Sequence, residues 1–166
     1  MSTDVVVRER SYRWEDPRAL AAQAPQRSGL AFLEAMRDGE LPPPPIMATI
    51  GAAVESVDEG RVVFTLEPAE YHYNPIGSVH GGVYATLLDS SCGCAVQSTL
   101  PAGVGYTSID LSVRFLRPMT ADTGLVHCEG VVVSAGRRTA LARASITDAA
   151  GRLLGEATSS CLIIRP

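Results

Sequence analysis

From Pro75 to Ile109 the chain carries one formally charged side chain, Asp89, set among small and apolar residues. Within that stretch, residues 81 to about 99 (GGVYATLLDSSCGCAVQST) read as a single helix. Val83, Leu87, Leu88, Ala95 and Val96 are spread around it and leave no charged face apart from Asp89. A helix that is apolar almost all round is buried almost all round. It must therefore be enclosed by other elements, and the rest of the chain offers strands. IMATIGAAVESVDEGRVVFTLEP divides at Asp58-Glu59-Gly60, a turn signal, into two β-rich halves. GYTSIDLSVRFLRP alternates, with Thr107, Ile109, Leu111, Val113 and Phe115 on one face and Tyr106, Ser108, Asp110, Ser112 and Arg114 on the other. GLVHCEGVVVSAG, RTALARASITDAAG and RLLGEATSSCLIIRP supply three more strands. Ala140, Ala142 and Ala144 share a face on which a bulky element can approach closely. One long helix with strands before and after it predicts an α+β fold, an antiparallel curved sheet wrapped around one central helix.

The 166 residues suit one domain, and a hydrophobic fraction of 46% is enough for a core. Residues 1–27 are polar, with Pro17 and Pro25, and read as an N-terminal arm that is partly ordered at most. Residues 28–45 read as a short helix and a proline-rich connector. In SGLAFLEAMRDGE, Leu30, Leu33, Ala35, Met36 and Arg37 form a helical stripe that Ser28 can cap and Gly39 can end. LPPPPI at 41–46 predicts an extended spacer. The main domain is then 46–166.

A buried carboxylate costs several kcal/mol unless it is paired or hydrogen-bonded. No cation lies within a helical turn or two of Asp89, so its partners come from elsewhere or it faces a cleft; isolated carboxylates of this kind concentrate at functional sites. His80-Gly81-Gly82 opens the same helix. First-turn N–H groups lack intrahelical acceptors, the macrodipole adds partial positive charge, and glycine lets a ligand reach the backbone. Gly81 and Gly82 thus suit a developing oxyanion. Asp89 follows Gly81 by eight residues, or ~12 Å along the axis, too far for one carbonyl carbon to meet both. Two such helices running antiparallel across a two-fold axis would bring the start of one to the aspartate of the other. A homodimer with two interfacial sites is expected.

Other chemistries lack their residues. There is no nucleophile elbow, phosphate-binding loop or zinc-protease signature. His72, His80 and His127 have no spaced partners, so no metal is expected. Cys92, Cys94, Cys128 and Cys161 read as buried, reduced thiols. A net charge of −4 argues against nucleic acid. No apolar run reaches the ~20 residues of a membrane span. The charged N-terminus lacks a signal peptide's apolar block, and a cytoplasmic protein is expected.

Asn74-Pro75-x-Gly77-x-x-His80-Gly81-Gly82, then Leu88-Asp89, YTSIDLSVRFLRP and GRRTALARASITDAAGRLLGEATS together resemble the PaaI-like acyl-CoA thioesterases of the hotdog superfamily, over residues 46 to 164. The resemblance implies a helix enclosed by a sheet, a dimer and a further dimer of dimers. It implies hydrolysis of an acyl- or aryl-CoA to free acid and CoA, with no cofactor, since CoA is part of the substrate. Gly81, helped by Gly82, would donate to the thioester oxygen. Asp89 of the partner chain would act as nucleophile or as general base on water. Asn74 would orient the carbonyl or the water, and His80 would brace the loop or bond near the thioester. Ser108 would hold the water, with Thr107 as its rival on the opposite face. Arg117, Arg137 and Arg138 are candidates for the CoA phosphates. Tyr73 and Tyr84, bulky beside the motif, are expected to shape the acyl pocket. Two other functions fit the same fold: a module that binds acyl-CoA without cleaving it, and a dehydratase or hydratase using His80 with a carboxylate.

Overall fold

A computed structural model describes residues 6–166. Helix α1 (Pro17–Gln23) lies inside the expected arm; the arm's first five residues fall outside the described ones. Asp16 caps α1 by accepting from the Arg18 N–H, Pro17 takes the first helical position, and Leu20 is buried with Phe32, Ala35 and Leu41. One leucine among alanines is too faint a stripe to predict a docked helix. Helix α2 (Gly29–Arg37) starts at Ser28, whose hydroxyl accepts from the Ala31 N–H, and Gly39 follows it in the left-handed region at φ 77°. The expected extended connector is shorter than the sequence implied. Pro45 opens helix α3 (Pro45–Ile50), because a proline costs nothing at a first helical position whose N–H has no acceptor.

Strands β1 (Ala52–Asp58) and β2 (Arg61–Leu66) form a hairpin. Helix α4 (Gly81–Ser98) follows, then β3 (Gly105–Ser108), β4 (Ser112–Phe115), β5 (Val126–Ala135), β6 (Thr139–Asp148) and β7 (Leu153–Ile164). The antiparallel sheet runs β1-β2-β5-β6-β7-β3, with β4 beside β3 on the same edge of β7. Helix α4 crosses its inner face, with Leu87, Leu88, Cys92, Ala95 and Val96 fully buried against β2, β5, β6 and β7. This is the hotdog arrangement that the resemblance implied. No helix among the described residues is long and apolar enough to cross a membrane.

The helix lies so close to the sheet that β5 has no room for a side chain at Gly130. A Cβ there would sit 2.0 Å from the Ser91 carbonyl oxygen of α4. Overpacking a core typically costs about 1–3 kcal/mol, and here the obstacle is backbone on both sides. Gly130→Ala is expected to lower stability by at least about 3 kcal/mol, read as the shift of a urea midpoint.

The strand expected from Gly105 to Phe115 is two strands. Ser112 lies four positions after Ser108, whereas their partners Thr158 and Cys161 on β7 lie three positions apart. The extra residue is a bulge, and it reverses which parity faces inward. Asp110 fixes it: the carboxylate accepts from the Ser160 N–H (2.9 Å), and the Asp110 carbonyl accepts from the Ser159 hydroxyl (2.8 Å). Tyr106 and Ser108 therefore face α4 from β3, and Val113 and Phe115 do so from β4. Arg114 points outward, paired with Glu156.

Candidate active site

Asp89 is half-buried midway along α4, and its carboxylate accepts from the Ser108 hydroxyl at 3.0 Å. No arginine lies within ion-pair distance of it among the described residues. Asp89 lines a cavity of about 320 Å³ together with Met36, Met47, Val54, Phe64, Cys94 and Tyr106. Helix α3, absent from the sequence reading, builds one wall with Ile46 and Met47. Cys94 lies deep inside the molecule yet keeps accessible surface because it faces this cavity. Burial pushes its thiol up to about 12, and the same holds for Cys92 and Cys128, so these thiols stay protonated and inert at neutral pH.

Gly81 lies at the other end of the arrangement. His80 caps α4, its Nδ1 accepting from the Gly82 N–H at 2.9 Å. The Gly82 amide is thus already engaged, and the expected shared role of the two glycines narrows to Gly81. As the first helical residue, Gly81 has an N–H with no acceptor among the described residues. The Phe115 ring lies over it, 3.0 Å from where a Cβ would be. Gly81, Asn74, Tyr84, Phe115 and Arg117 border a cleft of about 400 Å³. Among the described residues, that cleft shares no lining residue with the Asp89 cavity. Within one chain the two groups belong to separate recesses.

The loop that delivers Gly81 is held from both sides. Asn74 Oδ1 accepts from the N–H groups of Ile76 (3.0 Å) and Ser78 (3.3 Å), and its Nδ2 donates to the Ser78 hydroxyl (3.2 Å). Its oxygen and one Nδ2 hydrogen hold the turn, and the residue borders the Gly81 cleft. His72 is buried; its Nδ1 accepts from the Ala69 N–H, its Nε2 donates to the Ile50 carbonyl at 2.7 Å, and its own carbonyl accepts from the His80 N–H. Burial lowers the His72 pKa below its ordinary 6.5. The unfolded chain therefore binds the extra proton first. The stability from neutral His72 is complete above about pH 6.5 and is lost as pH falls through the lower folded value. His72→Gln is expected to flatten this acid slope in denaturation midpoints measured between about pH 7 and pH 5.

The remaining candidates disperse. Thr107 faces outward, opposite Ser108, away from Asp89. Arg117 borders the Gly81 cleft, its guanidinium donating to the Leu153 carbonyl. Arg137 and Arg138 are exposed on the β5–β6 turn. Tyr84 does not shape the Asp89 cavity; it is buried, its hydroxyl donating to the Arg117 carbonyl. Tyr73 does not shape it either, its hydroxyl accepting from the Ala121 N–H. Tyr106 does, and the sequence signal for it was its shared parity with Ser108.

The sheet and its enclosed helix define a hotdog fold, and that one helix carries both an acid and an open amide. The thioesterase superfamily pattern matches residues 76–154. A Halobacterium salinarum protein named as an esterase is 32% identical over 118 residues, covering 68% of this chain and 76% of its own length. The 1,4-dihydroxy-2-naphthoyl-CoA hydrolase of Listeria monocytogenes is 27% identical, covering 66% of this chain and 87% of its own. A Ralstonia eutropha structure described as a phenylacetic acid degradation-related thioesterase superposes with a TM-score of 0.71 at 28% identity, over 78% of this chain and 98% of that one. The chain belongs to the thioesterase superfamily, with PaaI-like hotdog proteins among its structural neighbours.

Proposed function

We propose that this protein is an acyl-CoA thioesterase whose active sites form between two copies of the chain. The observation that carries this reading is the separation of Asp89 and the Gly81 amide into different recesses on one helix. An antiparallel pairing of two α4 helices joins them. The sheet edge that such a pairing would use carries unusual apolar exposure: Ile109 is 59% and Phe115 58% exposed, and Ile76, beside the Gly81 loop, is 86% exposed. Side chains of this size seldom cluster on a free surface without a partner.

In each site the thioester oxygen accepts from the Gly81 N–H of one protomer, and Asp89 of its partner stands at the carbonyl carbon. As general base, Asp89 takes a proton from water while the water oxygen attacks. The tetrahedral intermediate then expels the CoA thiolate, and the proton passes to sulfur. As nucleophile, Asp89 first forms a mixed anhydride with loss of thiolate, and water hydrolyses it. Ser108 donates to the same carboxylate oxygen on either route and fixes its orientation. The naphthoyl-CoA hydrolase among the relatives supports a CoA thioester as substrate. The purified protein is expected to release free thiol from at least one member of an acyl- and aryl-CoA panel, with no change in acyl double bonds. Binding without thiol release across the panel would refute the proposal.

A further inference from the structure

Asp89, Gly93 and Gln97 are four residues apart and share one face of α4. The hydroxyl end of the Tyr106 ring abuts that face at Gly93. A Cβ on Gly93 would be 2.5 Å from the Tyr106 hydroxyl and 2.9 Å from its ring, so only glycine admits the ring. On one side of the ring is the Asp89 cavity of about 320 Å³. On the other is a second cavity of about 230 Å³, bordered by Gln97, Gly29, Pro25 and Val104. Among the described residues, Tyr106 alone lines both.

We propose that Tyr106 is a specificity-determining wall that sets the depth of the acyl cavity and excludes long straight acyl chains. This rests on the thioesterase reading, since the acyl group enters the cavity from a carbonyl held at Asp89. A chain running along α4 meets the ring after one turn of helix, about 6 Å. Met36, Met47 and Phe64 line the same cavity, whose volume of about 320 Å³ suits compact acyl groups. Removing the ring joins the two cavities into one channel that follows the helix past Gly93.

The test compares kcat/KM for hexanoyl-CoA and palmitoyl-CoA in the wild type, Tyr106→Ala, Tyr106→Leu and Tyr106→Phe, each checked for folding by circular dichroism. The wild type is expected to favour hexanoyl-CoA. The Ala and Leu variants are expected to raise the long-to-short ratio by at least about tenfold, the discrimination that small changes in an apolar pocket provide. Tyr106→Phe keeps the ring and should keep the wild-type ratio. The Leu variant guards against an Ala variant too unstable to assay. An unchanged ratio in either folded variant, a wild type that already prefers palmitoyl-CoA, or a Phe variant that shifts like Ala each overturns the wall. If the wild type releases no thiol from any thioester, the hydrolase reading fails by itself. The wall is then read by calorimetric binding of the same two thioesters, and an unchanged affinity ratio overturns it.

Discussion

Thiol release is expected to fall by about 10²–10⁴-fold in Asp89→Asn, the range that positioned acid–base groups contribute, while the protein stays folded. Asparagine is nearly isosteric with aspartate and keeps an oxygen to accept from Ser108, so the 3.0 Å contact can persist. Among the described residues no arginine pairs with Asp89, and the substitution therefore strands no buried cation there, the usual source of large stability losses at buried charges. What disappears is the ability to take a proton or to attack a carbonyl carbon. The loss should appear in kcat, with a smaller change in KM, because the cavity wall is unaltered. Wild-type turnover in a folded Asp89→Asn protein would remove the aspartate from the mechanism.

That the acid stood apart was legible before any coordinates, and the reasons are local. A lone charge on a helix with no polar face has few structural explanations, and the glycine pair at the helix start marks where a ligand can reach the backbone of that element. The same periodicity made α4 and its enclosing sheet legible. Asp110 shows why the rest was not. Its carboxylate and carbonyl hold a bulge by bonding to Ser159 and Ser160, about 50 positions away in the chain. Nothing in the alternation from Gly105 to Phe115 reveals that contact, and one inserted residue reverses every side chain beyond it. Helix α3 was hidden differently. A run of four prolines argues for extended chain, but the last of them serves as a helix start, and only packing over the Asp89 cavity distinguishes the two outcomes. Local bonding that the sequence does not reveal engages the Gly82 amide through His80 and one Asn74 Nδ2 hydrogen through Ser78.

Gly81→Pro should lower kcat by about 10²–10³-fold, the cost of removing one oxyanion donor, without unfolding the protein. Proline deletes the N–H itself. The first helical position is where proline is best tolerated, and His80, at φ −62° and ψ 139°, already has the extended backbone that a following proline demands. The His80–Gly82 cap is untouched. Gly81→Ala is the steric control: it presses on the Phe115 ring as proline does but keeps the donor, so the difference between the two variants isolates the amide. Mixing the Gly81→Pro and Asp89→Asn chains then distinguishes a shared site from a private one. If each site draws Gly81 from one protomer and Asp89 from the other, a mixed dimer holds one intact site. Random reassociation of equal amounts makes half of all dimers mixed, and activity should recover to about one quarter of wild type. Were both groups to act within a single chain, every site in the mixture would carry a defect, and no activity would return.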